Sequence, residues 1–307
     1  MGEDTDPAAN VHYLWFEVNT GEKIMGEDTN IAWCDHTWNP WLGCERKAGH
    51  PGCVNCYAQD YFRHWKITGK RRKTAEAYWR QPLKWDKQAE EEGVQRSVFP
   101  SMCDPFEDWD GPIVNAKGER LACYPDSRAP GFTRWPPQCI PAPDGLPARA
   151  HGLQWLTMDD VRRDLFQLID QTPNLTWILA TKRPENIRRM WSMVRPPELP
   201  DIDPGEWFRP NVQLLYSASD QASLESGIGH LLRCKDLSPV LGLSLEPLIG
   251  PIDLHFGDDM NGDEDSGVGC VPCDAGGTMH QHYIGESCNR GIDWIIVGGE
   301  SGPNARP

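Results

Sequence analysis

Six short apolar runs, each closed by polar residues and followed by a helix-like stretch, constrain the fold of this chain more than any other feature. Val98-Phe99 leads to Ser101 and Asp104, and Thr176-Trp-Ile-Leu-Ala180 leads to Thr181, Lys182 and Arg183. Val212-Gln-Leu-Leu-Tyr216 leads to Ser217, Ser219 and Asp220, and Val240-Leu-Gly-Leu-Ser-Leu245 leads to Glu246. Trp294-Ile-Ile-Val297 leads to Gly298, Gly299 and Glu300, and a first strand near Ile31 to Trp41 completes the set. Runs that are apolar throughout belong in a parallel sheet covered on both faces. The intervening helices have recognisable starts. Thr157 and Asp160 form a capping-box pattern before Val161–Ile169, Pro184 suits a first turn, and Asp220 can cap Gln221–Cys234. Strand–helix alternation repeated in this way predicts an α/β fold, a partial parallel (β/α)6 TIM-like barrel, with a doubly wound open sheet as its competitor.

Two stretches interrupt the alternation and are expected as irregular loop insertions. Residues 104–150 carry Pro105, Pro112, Pro125, Pro130, Pro136, Pro137, Pro141, Pro143 and Pro147, too many for a regular element. Residues 257–291 are rich in Gly, Asp and Cys; the glycine of the acidic run 258–265 falls at the wrong offset for a calcium loop, and a solvated loop is the better reading. Met-Gly-Glu-Asp-Thr occurs at 1–5 and again at 25–29. Residues 1–28 therefore read as an N-terminal extension, with Met25 as an alternative start, ahead of a body spanning 29–307.

Cys44, Cys53 and Cys56 lie in one Gly/Pro-rich loop directly after the first predicted strand. The C-x8-C-x2-C run places three soft thiolates where they suit an iron–sulfur cluster or zinc. Three thiolates on a [4Fe–4S] cubane leave one iron open, which could chelate the amino and carboxylate groups of S-adenosylmethionine for reductive cleavage to a 5′-deoxyadenosyl radical. Three ordinary reduced cysteines are the alternative. A parallel barrel gathers its working groups at the C-terminal ends of its strands, so the polar residues closing each run would surround this loop.

With 307 residues, 39% hydrophobic content and 14 tryptophans, the chain can build a substantial core. A net charge of −15 argues against coating nucleic acid nonspecifically but leaves room for a local basic groove. The acidic N-terminus resembles no signal peptide, and no apolar stretch reaches spanning length, so the expectation is a cytoplasmic protein with reduced thiols and no membrane segment.

Compound motifs carry a resemblance. Thr29-Asn-Ile-x-Trp33, Trp38-Asn-Pro-x-x-Gly-Cys44, Pro-Gly-Cys-x-x-Cys-Tyr-Ala58, Thr181-Lys-Arg-Pro184 and Gly298-Gly-Glu-Ser-Gly-Pro-x-Ala-Arg-Pro307 resemble an uncharacterised, largely phage- and prophage-associated family. That family is similar to a divergent branch of the radical S-adenosylmethionine enzymes, related to the spore photoproduct lyase group. The resemblance covers about 29–256 and 292–307 and implies the cluster at Cys44, Cys53 and Cys56. Cofactor contacts are expected among Tyr57, Thr181, Lys182, Ser217, Glu246, Gly298, Gly299 and Glu300. It further implies a reductant such as flavodoxin or ferredoxin and, for a phage-encoded chain, the host cytoplasm. Eight residues separate Cys44 from Cys53, where the usual radical-enzyme spacing has three. Relatives continue past the final Ala-Arg-Pro, so a closing helix or strand is expected beyond Pro307.

Two further clusters bear on ligands. Arg63, Lys66, Lys70, Arg71, Arg72 and Lys73 stand among Tyr61, Phe62 and Trp65, the combination that phosphate contacts and base stacking need, although snorkelling side chains at a helix end give the same pattern. A nucleotide or nucleic-acid base is the substrate class this points to. Cys270, Cys273, His282 and Cys288, with His280 as a substitute, could hold a structural zinc in the late insertion. The competing functional readings are a zinc-dependent nucleic-acid-binding module, with His50 or Cys34 as fourth ligand, and a catalytically silent phage interaction protein.

Overall fold

A computed structural model describes residues 14–15, 29, 31–123, 139–141, 153–192, 208–254, 291–300 and 306. Along the chain run β1 (Leu14–Trp15), β2 (His36–Thr37), β3 (Trp41–Leu42), α1 (Tyr57–His64), β4 (Arg71–Lys73), α2 (Glu76–Trp79), α3 (Gln81–Glu92) and β5 (Arg96–Phe99). There follow β6 (Ile113–Val114), β7 (Leu121–Cys123), β8 (Cys139–Pro141), β9 (Gln154–Trp155), α4 (Met158–Asp170), β10 (Leu175–Thr181) and α5 (Ile187–Ser192). The described elements close with β11 (Val212–Ser217), α6 (Gln221–Leu232), β12 (Val240–Leu245) and β13 (Trp294–Val297).

The fold is α/β. Its main sheet is parallel and curled, and its strands stand in the order β2-β5-β10-β11-β12-β13, with β1 added beside β13. Each of the six lies next to its neighbour in sequence, so the order never reverses as a doubly wound sheet requires. Strand alternation then sorts the side chains. Trp177, Leu179, Val212, Leu214, Tyr216, Leu241, Leu243 and Ile295 pack outward against α3, α4, α5 and α6 in one buried core. Ile178, Leu215 and Ile296 turn to the concave face, where Cys34, Trp33 and Phe99 fill the floor. Trp33 sits edge-on to Phe99 at 4.6 Å and to Trp294 at 6.2 Å. The concave face is therefore plugged at the N-terminal ends of the strands and lined with polar residues at the other.

Helix starts follow the sequence pattern. Thr157 and Asp160 complete a reciprocal capping box on α4, and Asp220 with Ser223 does the same for α6. The expected first strand is divided. Asn39-Pro40 interrupts it, leaving β2 in the main sheet and sending β3 into a three-stranded sheet with β4 and β6. Proline removes the ladder amide that a continuous strand would need.

The predicted insertion at 104–150 contains β6, β7 and β8, so it is partly ordered into small sheets and is not simply a loop. Cys123 and Cys139 stand opposite each other on β7 and β8 and form a disulfide, against the expectation that every thiol is reduced. The segment 257–290, with Cys270, Cys273, His282 and Cys288, lies outside the described residues, as does most of 1–28. Among the described residues, no helix is long and apolar enough to cross a membrane.

Candidate active site at the C-terminal mouth of the sheet

Three adjacent strands deliver polar groups to the concave face in successive turns of the pleat. Lys182 follows Ile178 and Ala180 on the inward parity of β10, and its Nζ bonds Ser217 Oγ at 3.1 Å. Ser217 stands in register with Ser244 across β11 and β12. Glu246 comes next inward on β12 and faces Gly298. A methyl group built on Gly298 would lie 2.3 Å from Glu246 Oε1, so glycine there leaves the carboxylate its space. Burial raises the Glu246 carboxyl above the ordinary range. No described carboxylate pairs with Lys182 and no described cation pairs with Glu246. Among the described residues the mouth thus holds the Lys182 ammonium, bonded to Ser217 on β11, and the Glu246 carboxylate at the end of the neighbouring β12.

The cysteine loop lies over this mouth and is fixed by side chains that bond backbone groups. His50 Nε2 donates to the Ser217 carbonyl at 3.0 Å, while Nδ1 accepts from the Gly52 amide at 3.2 Å. This fixes the neutral ring with its proton on Nε2, and burial, then the nearby Lys182, lowers its pKa to about 4. Gly52 packs so closely on the turn after β11 that an added methyl would fall 2.4 Å from Ser219 Oγ, a fully buried hydroxyl with no partner among the described residues. Lys47 Nζ reaches the Lys182 carbonyl at 2.6 Å and Glu185 at 3.0 Å; Arg183 reaches the Glu45 carbonyl at 2.7 Å; Gln59 reaches the Cys44 carbonyl at 3.0 Å.

The three thiols occupy different surroundings. Cys44 and Cys56 are half-buried against the cluster of Leu42, Ala58, Phe62, Ile67 and Met102, and Cys56 is the N-cap residue of α1. Cys53 is buried, at 7% exposure, in the short 3-10 turn of Pro51–Cys53. Burial and the carboxylates of Glu107 and Asp104 push the Cys44 thiol up, opposed by Arg183 and Lys182. Among the described residues, no three His, Cys, Asp or Glu side chains converge as a metal-binding set. The donors match an iron–sulfur cluster in kind and number; they are not drawn together in this conformation.

The other sequence-predicted residues separate into those facing the mouth and those engaged elsewhere. Tyr57 opens α1 and shows 46% of its surface to solvent, yet its hydroxyl is recessed within the mouth. Burial, Cys56 and Glu246 push its pKa up to about 12. Thr181 falls on the outward parity, and its hydroxyl bonds Asp104 at 2.7 Å, so it braces a loop rather than lining the mouth. Gly299 stands in open space beside the mouth. Glu300 is held by Arg306 at 2.6 and 2.9 Å and by Asn55 at 3.4 Å; its carboxyl is lowered to about 2, chiefly by the Arg306 hydrogen bonds.

The basic segment is not one surface. Arg71 is 2% exposed, forks onto Glu107 and stacks on Trp109 at 3.8 Å, while Lys73 is buried over Trp79 at 4.3 Å. These two are corrected from phosphate contacts to braces of β4. Arg63, which pairs with Asp60, and Lys66 are exposed, and Lys70 and Arg72 are half-buried.

Sequence reasoning overlooked Cys103 and the anchoring role of His50. His50 received notice only as a zinc ligand, but both ring nitrogens are already engaged. Cys34, the other proposed ligand, is buried in the floor, which with Asp35 raises its pKa to about 12. Cys103 lies beside Cys44, since Gly43 N bonds the Met102 carbonyl at 3.3 Å; burial, then Glu107, Asp104 and Cys44, raise the Cys103 thiol above its ordinary range. Only Cys103's position after a strand end could have flagged it.

Over residues 28–110 and 155–307 the chain matches the family model described as protein of unknown function DUF5131, and it belongs to that family. The unmatched stretch, 111–154, falls almost wholly within the Pro-rich interruption. No curated protein and no solved structure matches the chain.

Proposed function

Taking membership of this family as the premise, we propose that the chain is a radical S-adenosylmethionine enzyme acting on a nucleotide or nucleic-acid base. The observation that carries this reading is the placement of three thiols on one loop. That loop is clamped over the C-terminal mouth of a parallel sheet, beside an ammonium and a carboxylate that have no ion-pair partner among the described residues. The consecutive strand order supports a partial TIM-like barrel, in which that end of the sheet is the working end.

Cys44, Cys53 and Cys56 would hold a [4Fe–4S] cluster. Such a cluster would supply the one-electron reduction that S-adenosylmethionine cleavage needs. The remaining steps belong to the chain. Lys182 and Ser217 offer an ammonium and a hydroxyl to a carboxylate, and Glu246 accepts from an ammonium or from ribose hydroxyls in the space Gly298 leaves. Tyr57 presents an exposed ring on which an adenine can stack. The hydrophobic floor of Trp33, Phe99 and Trp294 keeps water from the far end of the cavity. Arg63, Lys66, Lys70 and Arg72 remain for phosphate contacts. The reading places the protein in a reducing cytoplasm, the host's if it is phage-encoded, with a flavodoxin- or ferredoxin-class reductant as partner.

Anaerobic reconstitution followed by iron, sulfide and zinc analysis tests this. Wild type should bind about four irons and four sulfides per chain, as a single cubane requires. Each of Cys44→Ala, Cys53→Ala and Cys56→Ala should abolish the brown absorption, and dithionite with S-adenosylmethionine should release 5′-deoxyadenosine. A triple variant that retains wild-type iron and sulfide overturns the assignment. Stoichiometric zinc without iron would favour a zinc-binding module. An intact cluster that neither binds nor cleaves the cofactor would favour a silent interaction protein.

A further inference from the structure

The cysteine loop is anchored on two sides by unlike means, and among the described residues the side toward β13 is tied through the Glu300–Arg306 ion pair. Toward β10 and β11, three residues share the work: His50 and Lys47 of the loop bond the Ser217 and Lys182 carbonyls, and Arg183 bonds the Glu45 carbonyl. Toward β13, the described contacts pass through Glu300 and Arg306. The Arg306 guanidinium donates to both Glu300 oxygens, at 2.6 and 2.9 Å, and its backbone amide adds a third bond at 2.7 Å. The same Nη2 donates to the Pro51 carbonyl at 3.0 Å, and Asn55 Nδ2 donates to Glu300 Oε2 at 3.4 Å. Pro51 opens the turn that carries Cys53, and Asn55 precedes Cys56. A forked guanidinium is suited to this, because its fixed plane can hold a carboxylate and a carbonyl at once, whereas an ammonium is a point charge.

We propose that Glu300 and Arg306 form a clasp that sets the position and accessibility of Cys53 and Cys56 without governing Cys44. Both are positioning residues: Glu300, expected from the sequence to touch cofactor, instead spends its oxygens on the clasp. The clasp stands on this geometry alone; its role in loading a metal rests on the cluster reading given above. Opening it removes the described tie of the C-x2-C segment to Glu300 and Arg306, while His50 and Lys47 still hold the loop to β11 and β10. Donors not gathered in the closed conformation then become free to converge. Ser219 Oγ, buried beneath Gly52 with no partner among the described residues, is the group that a shifted loop would find waiting.

Site-resolved alkylation of the metal-free, reduced full-length chain with N-ethylmaleimide, read by peptide mass spectrometry, tests the clasp directly. Arg306→Gln should speed labelling of Cys53 and Cys56 about tenfold or more, as expected when local opening replaces a closed state, and leave Cys44 and the core thiol Cys234 at wild-type rates. Arg306→Lys should fall between. If Arg306→Gln does not fold, Glu300→Gln, which keeps the side chain's shape, carries the same measurement. The proposal is overturned if Cys53 and Cys56 do not accelerate, or if Cys44 and Cys234 accelerate with them. In reconstituted protein, Arg306→Gln should lose iron to a chelator faster than wild type. A wild type that binds no iron defeats the cluster reading, and the alkylation pattern still decides the clasp.

Discussion

The inner face of the sheet and the cysteine loop meet at the same mouth but are held by opposite strategies. Ser217, Ser244 and Glu246 are placed by ladder register, one pleat step at a time, above an apolar core. The loop has little core of its own; it is placed by side chains bonding distant backbone, His50 to residue 217, Lys47 to residue 182 and Arg306 to residue 51. A sheet position fails with the whole domain, whereas a loop position can fail alone. The first gives preorganisation and the second gives adjustability, which suits donors that must close around an incoming group.

Four substitutions separate the two ways of holding the mouth. Glu107→Ala strands the Arg71 guanidinium inside the small sheet and deletes the acceptor for the Glu45 amide. Removing one partner of a pair this buried should destabilise by about 3–5 kcal/mol in a urea titration. A smaller loss than that of a core truncation would erase the contrast drawn here between charge-held and core-held regions. On the sheet side, Leu214→Ala should lose about 2–4 kcal/mol, and it should lower every spectroscopic transition together because β11 lies mid-sheet.

His50 links the two regions through pH. Its folded pKa, about 4, lies below the ordinary 6.5, so the unfolded chain binds the extra proton between those values. The stabilisation is complete above pH 6.5, declines as pH falls toward 4 and is constant below. It amounts to no more than about 3 kcal/mol for a shift of this size. His50→Gln should flatten that slope when stability is measured from pH 7 to 4; an unchanged slope would assign it to other groups. Smallest of all, Lys47→Ala removes a half-exposed ion pair with Glu185 and should cost under about 1 kcal/mol by the same titration. A larger loss would show that the Lys47 bond to the Lys182 carbonyl, not the ion pair, is the anchor.

The strands were legible because each is a continuous apolar run, and Ser217, Glu246 and Gly298 were legible because they close those runs. The caps of α4 and α6 were likewise written locally, in Thr157–Asp160 and at Asp220. What escaped was set by distant partners. Arg71 and Lys73 sit in a three-residue strand whose period is two, too short to show in the run of four basic residues from Lys70 to Lys73. Their burial depends on Glu107, Trp109 and Trp79. Thr181 is polar and strand-terminal like Ser217, yet one residue of parity turns it toward Asp104. Glu300 reads as a ligand contact until Arg306 is seen against it. Asn39-Pro40 held the sign that the first strand divides, a proline inside an otherwise continuous run.

The consecutive strand order also has a consequence in time. As the chain leaves the ribosome, β5, β10, β11, β12 and β13 each emerge to find the strand made just before already waiting as a partner, so the sheet can lengthen in step with translation. β1 departs from this schedule: it precedes the other described strands yet pairs with β13, which follows them, in register Leu14 with Ile296. Its docking must await β13, almost three hundred residues later in the chain, whose edge it then covers.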